Sequence, residues 1–115
     1  LNKAVRTGLA APYNSWHNRL ATLMFVKDIP LSSSDQSYDL AKKVDKTLVK
    51  LKHLPMLICW GKHDFVFDRD YLEEWCNRFP EAEVHELPDA GHYLLEDAPQ
   101  TVLSLVDQFL RKHPL

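Results

Sequence analysis

The chain has 115 residues, 45% of them apolar, which suits one compact domain of ordinary composition. Its 14 basic side chains against 16 acidic ones leave a formal charge of −2. That near-balance lacks the clustered Lys/Arg excess of a nucleic-acid footprint or a polybasic anchor, and no apolar run approaches the roughly 20 residues that cross a bilayer. Neither nucleic acid nor membrane is expected as a partner. Cys59 and Cys76 are too few for a disulfide framework and lack a metal spacing, so reduced, buried thiols in a cytoplasmic protein are expected. Gly8, Gly61 and Gly91 are the only glycines, and no phosphate-cradling loop can be built from them. The first residue is Leu1, with no leader pattern after it, which raises the expectation of a piece of a longer chain.

A short mixed stretch, Leu1 to Ala11, is closed by Pro12. Asn14 or Ser15 then offers a capping oxygen for a helix through Trp16, Arg19, Leu20, Leu23 and Met24, whose apolar members recur at helical spacing and predict one buried face. Pro30 stops that pattern. The serine-rich segment Leu31 to Gln36 is the one clear shift in composition and the candidate boundary, dividing 1–36 from 37–115. Leu40, Val44, Leu48 and Leu51 predict a helix from Ser37 to about Leu51.

Met56 to Trp60 is a continuous apolar run ended by Gly61, which predicts a strand buried on both faces, as in parallel sheets. Arg69 to Phe79 reads as a helix. Ala82 to Leu87 reads as a second short strand closed by Pro88. Thr101 to Arg111 reads as a final helix with Leu103, Val106, Phe109 and Leu110 inward, and Pro99 is its start signal. Strand, helix, strand, helix implies a βαβ unit and a parallel sheet, an α/β fold.

Two segments could carry chemistry: Trp60-Gly61-Lys62-His63-Asp64 and Pro88-Asp89-Ala90-Gly91-His92. Each follows a predicted strand, and in open parallel sheets ligands bind beyond the carboxyl ends of the strands. Asp64 and His92 would meet there. A carboxylate can hold an imidazole in one tautomer, stabilise its protonated form and leave the other nitrogen free as a base. Gly61 would let the chain turn off the strand, and Gly91 would let the backbone approach closely beside the His. A lone Asp in such a loop is most often a cap or a turn residue, and a lone His is most often a satisfied polar group. Their joint placement singles this pair out. Asp68 suits the cap of the helix at Arg69, and Asp89 suits a turn. His17, His53, His63, His85 and His113 show no pairwise metal spacing, so no metal and no cofactor are expected.

These segments, with Phe79-Pro80, Glu83-Val84 and Glu96-Asp97-Ala98-Pro99 around them, resemble the C-terminal part of the α/β-hydrolase fold over roughly positions 54 to 112. The resemblance implies that Asp64, in a W-G-x-x-D segment, is the acid of a catalytic triad. It also implies that His92, in P-D-A-G-H, is the base. Ala11-Pro12-Tyr13 through Ile29-Pro30 is similar to the end of the helical cap in haloalkane-dehalogenase-like and epoxide-hydrolase-like members, and to the β-lactone-processing enzymes of bacterial olefin synthesis. On that likeness 1–36 is the end of a cap with its linker, and 37–115 is the last part of the core. The family's nucleophile sits on a strained elbow such as G-x-S-x-G, or its Asp equivalent, and this chain has none. Half a triad is present.

The expected function is therefore to supply acid and base to a hydrolase acting on a small molecule with a carbon–halogen, epoxide, lactone or ester group, the chain alone being inactive. An aspartate nucleophile is preferred on the cap resemblance. The other expectation is a non-catalytic interaction module that retains the fold's last strands. Two parallel strands are fewer than a sheet normally needs, so the isolated chain is expected to self-associate.

Overall fold

In the computed structural model, which describes residues 1–114, the chain forms two compact units, Leu1–Leu48 and a second from Val49 onward. The first unit is helical. Asn2 accepts from the Val5 amide at 3.0 Å and starts α1, Lys3–Ala10, where only a short mixed stretch was expected. A 3₁₀ turn at Ala11–Tyr13 follows, and Ser15 caps α2, Trp16–Lys27, by accepting from the Asn18 amide. The serine segment is a tight loop, because Asp35 accepts from the amides of both Leu31 and Ser32. Ser37 then donates back to the Asp28 carbonyl, and α3 runs Tyr38–Thr47. That local stitching keeps α3 with the helices before it, so the compact units divide after Leu48 and not within Leu31 to Gln36. A 3₁₀ turn at Leu48–Leu51 replaces the last turn of the helix expected to reach Leu51.

Helical spacing correctly located α2, yet its apolar side is not buried. Trp16 is 76% exposed, and Leu20, Leu23 and Met24 are exposed with it. Periodicity reports which side of a helix is apolar, whereas burial requires an opposing surface. Within this unit none faces it, and the side lines an open groove of about 570 Å³ with Tyr13.

The second unit is a parallel βαβ arrangement. β1, Leu57–His63, pairs parallel with β2, Glu83–Gly91, and α4, Arg69–Arg78, connects them. Asp68 caps α4 by accepting from the Asp70 amide, as expected. α5, Leu94–Asp97, and α6, Pro99–Lys112, complete the chain, with Pro99 in the first turn of α6. Lys112 closes the unit by bonding Glu83 at 2.7 Å.

Both strands run past their expected ends. Pairing is regular from Leu57↔Glu83 to Gly61↔Leu87 and then jumps to His63↔Gly91. β1 advances two residues over that jump and β2 advances four, so Pro88, Asp89 and Ala90 bulge from the ladder. A proline is tolerated there because a bulged residue owes no ladder N–H. Gly61 is required for a different reason from the one expected. No glycine has a positive φ, but a Cβ at Gly61 would meet the Gly91 carbonyl oxygen at 2.3 Å and that of Ala90 at 2.8 Å. The glycine admits the neighbouring backbone; it does not turn the chain.

The core is small. Leu87, Ala90 and Val102 form its buried centre, with Cys59, Leu94 and Ala98 packed against it. Ile58 is buried, but Leu57, Cys59 and Trp60 are only half-buried, so the expectation of a strand dry on both faces is not met. Cys76 is half-buried as well, and both thiols are free. α6 turns Val102 inward, with Leu105 and Phe109 half-buried beside it, while Leu103, Val106 and Leu110 are exposed. Only part of α6's apolar arc finds a partner in two strands. No helix among the described residues is long and apolar enough to cross a membrane.

Candidate active site

The site is built at the carboxyl ends of β1 and β2. Asp64 follows β1, and its amide donates to the Gly61 carbonyl at 3.1 Å. Its carboxylate then turns the chain: Oδ1 accepts from the amides of Val66 at 2.8 Å and Phe67 at 2.9 Å. Such an Asx-type turn fixes the carboxylate as firmly as the loop. The loop itself is pinned by Trp60, whose indole N–H donates to the Phe67 carbonyl at 3.0 Å. Trp60 and Asp64 of the W-G-x-x-D segment thus act on one loop from opposite ends.

His92 arrives from the other strand. The bulge at Pro88–Ala90 lets β2 end with Gly91 opposite His63, one residue short of the imidazole. Nδ1 of His92 lies 3.0 Å from Asp64 Oδ1 and 3.2 Å from Oδ2. An ionised carboxylate has no proton to give, so Nδ1–H is the donor and Nε2 keeps its lone pair. Nε2 has no hydrogen-bond partner among the described residues. The Asp64 side chain is 11% exposed and that of His92 29%, so the carboxylate is the more sheltered and the imidazole the more accessible. Phe65, Phe67 and Tyr93 surround the imidazole, with ring centroids 5.5 to 5.7 Å away.

The electrostatics follow from the contacts. Partial burial pushes the Asp64 carboxyl up, but the Phe67 and Val66 amides and the His92 bond outweigh it, holding the group below the usual aspartate value. Asp64 therefore stays an anion where it orients the ring. Cys59, by contrast, is pushed up by burial and then by Glu83, so it is no ready thiolate.

Both residues singled out in the sequence, Asp64 and His92, are brought together. Asp68 is a cap and Asp89 is exposed in the bulge, so neither competes for the imidazole. His85 is held by Glu83 at 3.0 Å, away from this pair. Sequence reasoning missed Asp97, whose Oδ2 accepts from the Gly91 amide at 2.9 Å. It also missed the aromatic ring around His92. Phe65 and Phe67 could have been found from their place in the loop after Asp64. Asp97 stood in the Glu96-Asp97-Ala98-Pro99 segment of the resemblance, but its bond to Gly91 gave no signal, because α5 was not anticipated.

Two parallel strands thus bring an Asp–His pair into hydrogen-bond contact at their carboxyl ends. The alpha/beta hydrolase fold family model matches residues 3–99, and the chain belongs to that family. This is the C-terminal part of that fold, two parallel strands with flanking helices, preceded by further helices. Among curated proteins it is similar to a cis-3-alkyl-4-alkyloxetan-2-one decarboxylase of Shewanella oneidensis, 46% identical over 96% of this chain and 35% of that protein. The protein of the same name from Xanthomonas campestris pv. campestris is 38% identical over 97% of this chain and 37% of its own length. A dihydrolipoyllysine-residue acetyltransferase component of the acetoin cleaving system of Pseudomonas putida is 37% identical over 51% of this chain. The chain thus spans about a third of the length of the two oxetanone decarboxylases it matches.

Proposed function

We propose that this segment supplies the acid and base of a nucleophile–His–Asp triad that opens a strained cyclic ester of the 3,4-dialkyl-oxetan-2-one type. The observation that carries it is the 3.0 Å bond from His92 Nδ1 to Asp64, with Nε2 left without a partner among the described residues. The two relatives named for action on such β-lactones support the substrate class. The nucleophile is contributed from outside these 115 residues and attacks an electrophilic ring carbon; the ring C–O bond at that carbon breaks, and its oxygen leaves with the electron pair, still tethered to the covalent intermediate. His92 Nε2 takes a proton from the water that attacks the covalent intermediate, or from the hydroxyl itself if the nucleophile is serine, and Asp64 stabilises the imidazolium that results. An aspartate nucleophile is preferred over serine, on the likeness of 1–36 to the cap of haloalkane-dehalogenase-like enzymes. With aspartate, His92 acts only on the covalent intermediate; with serine, it must act from the first step.

Intact-mass spectrometry separates these cases. In a protein carrying this segment together with its nucleophile, His92→Gln is exposed briefly to a cis-3,4-dialkyl-oxetan-2-one. Accumulation of a covalent adduct is the expected result. No adduct and no turnover assigns the nucleophile to serine, with a loss on the order of 10⁴-fold. Turnover near that of the unaltered protein overturns the triad.

A further inference from the structure

We propose that Asp97 is a positioning residue for His92 and acts through the backbone of Gly91. α5 folds back after the histidine, and its last residue sets Oδ2 2.9 Å from the Gly91 amide. That bond closes a ring of chain from Gly91 to Asp97 with the imidazole mounted on it. The ring is braced from inside: the amides of Glu96 and Asp97 both donate to the Tyr93 carbonyl at 2.9 Å, and that of Ala98 donates to Leu94.

The need for the bond follows from the bulge. After Pro88–Ala90 leave the ladder, β2 regains register at Gly91 alone, opposite His63. A side chain there is discouraged, since a Cβ would lie 3.2 Å from the His63 carbonyl oxygen. Glycine has the widest backbone freedom of any residue, and it is the pivot from which His92 reaches Asp64. A carboxylate acceptor on the pivot's amide is stronger than a neutral one and removes that freedom. Asp97 makes no hydrogen bond to the imidazole or to Asp64, so its effect passes through the chain and not through the reacting atoms. The consequence for turnover rests on the catalytic reading of His92, but the positioning itself does not.

The test is ¹⁵N NMR on the 115-residue chain, comparing Asp97→Ala with Asp97→Asn, whose carboxamide oxygen keeps the acceptor. Two quantities are followed: hydrogen exchange of the Gly91 amide and the tautomer of His92, read from its ring nitrogens. Asp97→Ala is expected to speed Gly91 exchange roughly tenfold or more over the other β2 amides and to mix the Nδ1–H and Nε2–H tautomers. Asp97→Asn is expected to restore both. Unchanged Gly91 exchange and an unchanged tautomer in Asp97→Ala overturn the proposal. So does uniform acceleration across β2 with the tautomer intact, since that marks a merely structural role. Should Asp97→Ala fail to fold, Asp97→Asn decides: a single Nδ1–H tautomer supports the bond, and a mixture overturns it. None of these readings depends on activity. A His92→Gln protein that turns over normally would end the triad proposal and leave this one standing.

Discussion

Gly61→Ala is the sharpest test of how the two strands meet. The added methyl would sit 2.3 Å from the Gly91 carbonyl oxygen, 1.1 Å inside the 3.4 Å at which ordinary contact begins. The Ala90 oxygen and carbon, at 2.8 and 2.9 Å, close the escape on that side. All three atoms are backbone, and Ala90 is 1% exposed within the core cluster, so no flexible side chain can give way. Overpacking usually costs 1–3 kcal/mol when side chains can shift. Here the end of β2 must move as a unit, and a loss of about 3 kcal/mol or more is expected, roughly a hundredfold in the folding equilibrium. The control is Gly8→Ala in α1, where a Cβ meets nothing within 4 Å. Alanine there should stabilise the helix by about 0.5–1 kcal/mol. Urea titrations of both variants, followed by fluorescence and circular dichroism, give the midpoints at matched slopes. A Gly61→Ala midpoint within about 0.5 kcal/mol of the unaltered chain would refute the close approach. It would also remove the reason for His92 standing where it does.

Asp64→Asn keeps an acceptor for the Val66 and Phe67 amides but loses the charge that holds the ring, so it should mix the His92 tautomers at a cost of about 1 kcal/mol or less. Asp64→Ala forfeits both amide bonds and should cost about 2–4 kcal/mol in denaturant titrations; equal costs for the two variants would disprove the turn. The Asp64 carboxyl lies lower folded than unfolded. Its contribution is therefore fully present above the ordinary aspartate pKa of about 3.9 and is lost as pH falls through the lower folded value. An acid unfolding limb that is unchanged by Asp64→Asn would contradict that sign. The outer edge of β1 is unpaired among the described residues and borders an apolar groove of about 560 Å³ lined by Met56, Ile58, Trp60, Tyr71 and Trp75. The isolated chain is accordingly expected to self-associate, and sedimentation showing a folded monomer at micromolar concentration would reject this.

Much of the second unit was legible from local chemistry. An apolar run ended by Gly61 located β1, a short segment closed by Pro88 located β2, Asp68 announced its cap, and α/β alternation implied the parallel pairing that β1 and β2 show. Asp64 and His92 were visible because each follows a strand, and parallel strands put those loops at one end. The sequence could not show how far each strand runs, because Gly61 and Pro88 look like stops until the bulge makes them tolerable. Nor could it show that Leu103, Val106 and Leu110 stay exposed while Val102 turns inward, since periodicity marks an apolar side without saying what faces it. The Gly91–Asp97 bond lay beyond reach for a related reason: it joins residues six apart across a turn that no pattern announces. Spacing along the chain encodes the elements and their apolar sides, whereas register, close backbone approach and partnered surfaces exist only once separate segments meet in space.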